Sequence, residues 1–528
     1  MSVVSFSFLA FLFIAVIVYY IVPKKLQWPV LLVSSIVFYA YTGIDNLIFV
    51  GVSIIIAYVF SNLMQINLDE QEKLIAGLEK REARQIKVRL KRKRKALLSI
   101  CLVLIIGILA FLKYYNFAVE NINRVLGLMS LSDLPGLEMA VPMGISFYTF
   151  MMISYLVDIY NGKIRCESNF LKYAAYVLYF PHVTQGPISR YGELAPQIFS
   201  QHKFDFDAVT RGIWLMIWGF FKKLVIADRL SIFVNAVFDG YKELTGIIFL
   251  FAGIAYSIQI YCDFSGCMDI VRGASECFGI KLAKNFERPY FSKTLPEFWR
   301  RWHMSLGSFF KDYVFYPIST SKLFLKANKG GRRVFGQNAG RIIASCIPIM
   351  AVWFLTGLWH GAKWTYIAWG LFHGILICLS TAFEKPIERL TQRLHIKRDC
   401  ISWSIFRMLR TFLICVIGRI IFMAHGLRAA FSILKGMFTE ADVYFSIFDF
   451  GLSEREWLVA AAACIVLLCV SIAQEIMGKK ENPITIRQWL SKQNLWFRWA
   501  LLLMGIFSIV IFGVYGTGAG KSFIYEQF

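Results

Sequence analysis

Seven histidines are spread over the 528 residues, and two of them stand in surroundings that suit acid–base chemistry. His303 lies in the run Glu297-Phe298-Trp299-Arg300-Arg301-Trp302-His303-Met304-Ser305-Leu306, aromatic and basic together. Such a run is too charged to cross a bilayer and suits an interfacial or re-entrant helix. His360 closes an almost wholly apolar stretch, within Thr356-Gly357-Leu358-Trp359-His360-Gly361-Ala362-Lys363-Trp364. Small glycine neighbours let a backbone or a substrate approach closely. A neutral imidazole in a low-dielectric pocket can take a proton from a hydroxyl. The same placement also suits a histidine that caps a helix hairpin for packing, and the residues alone leave both readings open. The remaining five have weaker claims. His202 and His395 sit in polar loops, His425 ends a span, His182 follows a proline at a helix break, and His373 is expected as a hydrogen-bonded core residue.

The elements that must position these residues belong to a membrane. The chain is 57% hydrophobic and 17% charged, where a soluble domain carries about 25% charged residues. An ordinary soluble enzyme is excluded. Apolar runs at 6–22, 96–112, 342–359, 457–473 and 499–514 are each long enough to cross a hydrocarbon core of about 30 Å as a helix. Ten-residue segments of alternating polarity, which a β-barrel needs, are absent. The fold class is therefore all-α and polytopic, with about eleven or twelve membrane segments on this reading. The first apolar segment lacks a basic leader and a small-residue cleavage site, so it is expected to be retained.

Charge sets the expected orientation. The segment 67–95, read as a loop, ends in Arg89-Leu90-Lys91-Arg92-Lys93-Arg94-Lys95, a density that belongs on the cytoplasmic side. Three spans precede it, so the N-terminus is expected outside, in a bacterial cytoplasmic membrane. Segments within 171–340 are apolar but interrupted, at Pro181-His182, Lys222-Lys223 and Asp263. Polar backbone at that depth must be covered by protein or line a wet cavity. The net charge of +23 is read as facing anionic head groups of the lipid bilayer. No nucleic-acid partner is expected, because no recognition motif accompanies the charge. Eleven cysteines without a CxxC pair indicate neither a disulfide framework nor a metal site.

The two histidine stretches belong to a longer ordered series: Tyr261-Cys262-Asp263-Phe264-Ser265-Gly266, Met268-Asp269, Asn285-Phe286-Glu287-Arg288-Pro289-Tyr290, Lys311 to Pro317, and Trp369-Gly370-Leu371-Phe372-His373-Gly374. Gly186-Pro187-Ile188-Ser189-Arg190 precedes them. With these motifs the chain resembles the membrane-bound O-acyltransferases, in particular their alginate O-acetylation branch, and beyond it the related D-alanyl transfer branch. The resemblance covers most of the chain. It departs at Gly418-Arg419-Ile420-Ile421-Phe422-Met423-Ala424-His425, where an expected tryptophan and Phe-Arg pair are missing.

The resemblance implies a ring of helices around a thinned centre, with a catalytic core at 1–400 and further transmembrane helices at 401–528. It implies His360 as catalytic and His303 as a second active-site residue. Trp359, Trp302, Ser305, Asn285, Asp312, Arg300 and Arg301 are the candidate substrate-binding residues around them. No bound cofactor or metal is implied. The donor substrate would be acetyl-CoA or another acyl thioester arriving from the cytoplasm, and the acceptor an exported polysaccharide. An extracytoplasmic acetyltransferase of the SGNH type, or a polysaccharide-export protein, would be the partner, with an acyl carrier protein as a further candidate. The basic face Arg300, Arg301 and Lys311 could attract a phosphate-bearing donor. Lys322, Lys326, Lys329, Arg332 and Arg333 read as ordinary cytoplasmic charge. Asp263, Asp269, Glu297 and Asp312 are expected to pair with nearby arginines. The competing readings are D-alanyl transfer to teichoic acid, a transporter of glycan or acyl carrier without chemistry, and an assembly scaffold.

Overall fold

In hydrocarbon every backbone N–H and C=O must find a partner within the chain, and a helix is the form in which one segment does so alone. The computed structural model describes residues 1–41, 43–137, 141–439, 446–479 and 484–515. Among these the chain is helical throughout, with no strand and one isolated antiparallel bridge, Phe286 to Trp302. Among the described residues seven helices are long and apolar enough to cross a membrane, from Ile44–Ile75 to Leu495–Phe512. The protein is a multi-pass membrane protein. Other expected segments take shorter or more charged forms. Phe6–Ile21 and Ile145–Tyr160 are apolar helices of 16 residues each, and Ile401–Met423 carries Arg407, Arg410 and Arg419. The basic segment 479–498, which its charge places as a cytoplasmic loop, lies partly outside the described residues.

Contacts group the chain into two compact units, Met1–Ile213 with Val271–Ala283, and Trp214–Ile270 with Lys284–Phe528. The first has an aromatic centre. Phe8, Phe38 and Phe180 meet with ring centroids 5.7–6.4 Å apart, and Tyr155 stacks on Tyr173 at 4.7 Å. The Gly186–Arg190 element belongs here, and Tyr176 donates to the Ser189 carbonyl at 2.8 Å. The segment expected as a loop at 67–95 is helical instead. Ile44–Ile75 and Lys80–Leu128 run through it, leaving only 76–79 between them. Its Lys, Arg, Glu, Gln, Leu and Ala residues are strong helix formers, so charge takes the helix out of the bilayer without ending it. Arg94 is buried and donates to Asn67 of the neighbouring helix at 3.3 Å.

The second unit holds both the motif region and the C-terminal helices. The interruption expected at Lys222-Lys223 is a π-helical segment, Phe221–Ala227, leading into the helix Asp228–Asp239. Both lysines are buried. Lys222 lies 2.8 Å from Asp269 and donates to Ser265 at 2.9 Å. Lys223 pairs with Asp228 at 2.8 Å and also with Asp263. The acids Asp263 and Asp269 therefore take lysine partners. Pairing offsets much of the cost of a charge at this depth.

Two helices, Gln337–His360 and Trp364–Arg393, form the hairpin that carries the site. They meet at glycine. A Cβ on Gly357 would stand 2.6 Å from the Tyr366 carbonyl oxygen, and one on Gly370 2.4 Å from that of Trp353. Neither contact admits a side chain, so the backbones touch directly.

Candidate active site

His360 is the last residue of its helix. Gly361 follows with φ 156°, a conformation open in practice to glycine alone, and the helix stops there. The imidazole is buried and walled by aromatic rings: Trp359 at 4.7 Å, Trp369 at 4.9 Å and Phe422 at 5.1 Å between centroids.

His303 also marks a helix end. It caps the N-terminus of Met304–Phe310 with φ 48° and ψ 52°, a left-handed backbone that costs a non-glycine residue roughly 1–2 kcal/mol. Such strain is held in place by its neighbours, and here the neighbour is Asn285. The Asn285 carbonyl accepts from Met304 N–H at 3.0 Å. Its side-chain oxygen accepts from Ser305 N–H at 3.0 Å and Ser305 O–H at 2.9 Å, and faces His303 Nδ1 at 3.2 Å. An oxygen already surrounded by donors assigns the proton to Nδ1 and the lone pair to Nε2. His303 thus has the tautomer that can accept a proton at Nε2.

Trp359 joins the two histidines. Its ring lies 5.4 Å from His303 and 4.7 Å from His360. Trp302 is buried beside them, stacked on Phe298 at 5.6 Å. A cavity of about 20 Å³ is lined by His360, His373, Trp299, Trp302, Trp369 and Arg419, among others. This is room for about one water-sized group.

Of the residues singled out from sequence, the structure brings together His360, His303, Trp359, Trp302, Asn285 and Ser305. Arg301 is half-buried and committed elsewhere, to Glu297 at 2.8 Å and Glu475 at 3.4 Å. Arg300 is exposed, and Asp312 stands half-buried on the π-helical turn Lys311–Phe315. His373 was expected to be a hydrogen-bonded core residue. It is buried, but among the described residues it makes no hydrogen bond. It is enclosed instead by Trp299, Trp369 and Trp353 at 4.9, 5.2 and 5.4 Å.

Arg419, Trp369, Phe422 and Glu475 were not assigned to the site from sequence. A charge inside an apolar helix is a signal by itself, and Arg419 carried it. Trp369 and Phe422 carried none beyond ordinary core composition.

Fold and site define the class of protein: a multi-pass integral membrane protein with two buried imidazoles in one aromatic pocket, a setting that suits proton transfer. Comparison with known proteins narrows it. The family model for membrane-bound O-acyltransferases matches residues 141–335. A probable alginate O-acetylase of Pseudomonas syringae is 32% identical over 425 residues, covering 80% of this chain and 72% of that protein. A peptidoglycan O-acetyltransferase of Helicobacter pylori is 32% identical over 359 residues, 63% of this chain and 62% of the relative. A teichoic acid D-alanyltransferase of Bacillus subtilis is 29% identical over 251 residues, 46% and 60% respectively. The chain belongs to the membrane-bound O-acyltransferase family, and it is an O-acyltransferase.

Proposed function

We propose that this enzyme transfers an acetyl group from a cytoplasmic thioester, such as acetyl-CoA, to hydroxyls of an exported cell-surface polysaccharide. His360 is the general base. The acceptor hydroxyl gives its proton to His360, its oxygen attacks the acyl carbonyl, and the departing thiolate takes the proton back. His303, with its basic Nε2 and its ring against Trp359, orients the reactant. Trp302, Ser305 and Asn285 hold that arrangement. An extracytoplasmic acetyltransferase completing delivery, or an export protein, fits an acceptor that lies outside the cytoplasm. The acyl carrier protein remains the second donor class.

The observation that carries this reading is the pair of buried histidines that both contact one tryptophan, each at a helix end where the backbone turns into positive φ, at His303 itself and at Gly361 after His360. Acetyl is favoured over D-alanyl as the group moved because the similarity to the alginate O-acetylase spans 80% of this chain and that to the D-alanyltransferase 46%. The test is thioester turnover by the purified protein with radiolabelled acetyl-CoA, with His360→Ala as control. Turnover that vanishes in a folded His360→Ala protein supports the reading. Unchanged turnover in that variant removes His360 from the chemistry. Mass spectrometry of surface glycan from a deletion strain separates the acyl groups, since loss of ester-linked alanine in place of acetyl would overturn the acetyl assignment.

A further inference from the structure

Arg419 is a buried arginine without an acid. It lies on the helix Ile401–Met423 and lines the same small cavity as His360. Its Nη1 donates to the Ser257 carbonyl at 3.0 Å and to the Tyr290 hydroxyl. Among the described residues Nε and Nη2 make no hydrogen bond, and no carboxylate pairs with the guanidinium. The plane is packed over Trp302 at 4.5 Å and Tyr290 at 5.4 Å. An unpaired cation at such depth is costly. An apolar side chain would fill the space between helices at lower cost, so packing does not account for a guanidinium here.

We propose that Arg419 binds the acyl carbonyl oxygen and stabilises the oxyanion formed during transfer. The cavity of about 20 Å³ has room for one oxygen-sized group, which is what an acyl carbonyl oxygen presents. As the acceptor oxygen bonds to the acyl carbon, the carbonyl electron pair moves onto that oxygen, which faces the guanidinium donors. Collapse restores the carbonyl and breaks the carbon–sulfur bond, and the thiolate leaves with the proton held by His360. The donors are held before reaction by stacking and by the Nη1 bonds, so little reorganisation accompanies charge development. This assignment rests on the acyl-transfer role proposed for His360.

The test uses the full-length protein in membranes, with acetyl-CoA as probe and initial rates measured over a range of its concentrations. Arg419→Met is expected to lower kcat about 100-fold or more, with KM changed by less than about threefold. Arg419→Lys keeps the charge but loses the planar fork, and is expected to lose roughly tenfold in kcat. A folded Met or Lys variant with wild-type kcat overturns the proposal, as does a loss confined to KM. The Lys variant decides the matter if the Met variant does not fold. His360→Ala runs alongside. An inactive His360→Ala with a fully active Arg419 variant sinks only this inference, whereas an active His360→Ala sinks the general-base reading on which it stands.

Discussion

Asn285 controls more of the site than its size suggests. One side-chain oxygen meets two donors of Ser305 and the Nδ1 of His303, so a single substitution disturbs the tautomer, the ring orientation and the strained turn together. Asn285→Ala removes a hydrogen bond worth about 1 kcal/mol to the histidine, which corresponds to a fall in kcat of roughly five- to tenfold. Thioester turnover measures it, and a loss seen in KM alone would show that His303 acts in binding. Gly361 offers a second test. Any side chain at φ 156° costs of order 1–3 kcal/mol, so Gly361→Ala is expected to lower the midpoint of thermal unfolding in detergent and to shift His360. The two histidines were legible in the sequence because each sat in an unusual local run. Arg419 was visible as a charge inside an apolar run and as a departure from a motif. Its role depends on Ser257, Tyr290 and Trp302, distant in sequence, which no local pattern connects to it.

At the scale of elements, the site is held from two directions. The hairpin of Gln337–His360 and Trp364–Arg393 closes on bare glycine backbone. Gly370→Val would force the helices apart and is expected to abolish a stably folded protein, read as aggregation in size-exclusion chromatography. The second hold is ionic. Glu475, on the helix Glu454–Gly478, accepts from Arg288 at 2.7 Å, Arg301 at 3.4 Å and Lys479 at 3.0 Å. It ties a C-terminal helix to the segment that leads into His303. Glu475→Ala leaves two half-buried guanidinium groups without this partner and is expected to destabilise by about 1–2 kcal/mol. Thermal unfolding measures that loss, and a wild-type midpoint would show that the cluster is solvated. Helix positions followed well from apolar runs. Glu475 did not follow, since an acid near the end of a span looks like any interfacial charge. The π-helical segment Phe221–Ala227 was legible only as an interruption, and its lysines reach Asp263 and Asp269 in a helix well beyond them, while Lys223 also pairs with nearby Asp228.

For the whole molecule, composition was sufficient to establish a helical membrane protein, and the ordered motifs were sufficient to place it among the O-acyltransferases. What composition misjudged was the segment 67–95, where density of charge looked like a loop and proved to be helix. That helix, Lys80–Leu128, has 49 residues and is about 70 Å long at 1.5 Å per residue, far more than a bilayer needs. Six cations fall between Arg89 and Lys95 at its polar end. Carrying them through hydrocarbon would cost on the order of 15–20 kcal/mol, at about 3 kcal/mol each. The orientation chosen during synthesis is therefore permanent. A molecule inserted upside down would have to carry all six cations back through hydrocarbon to correct itself.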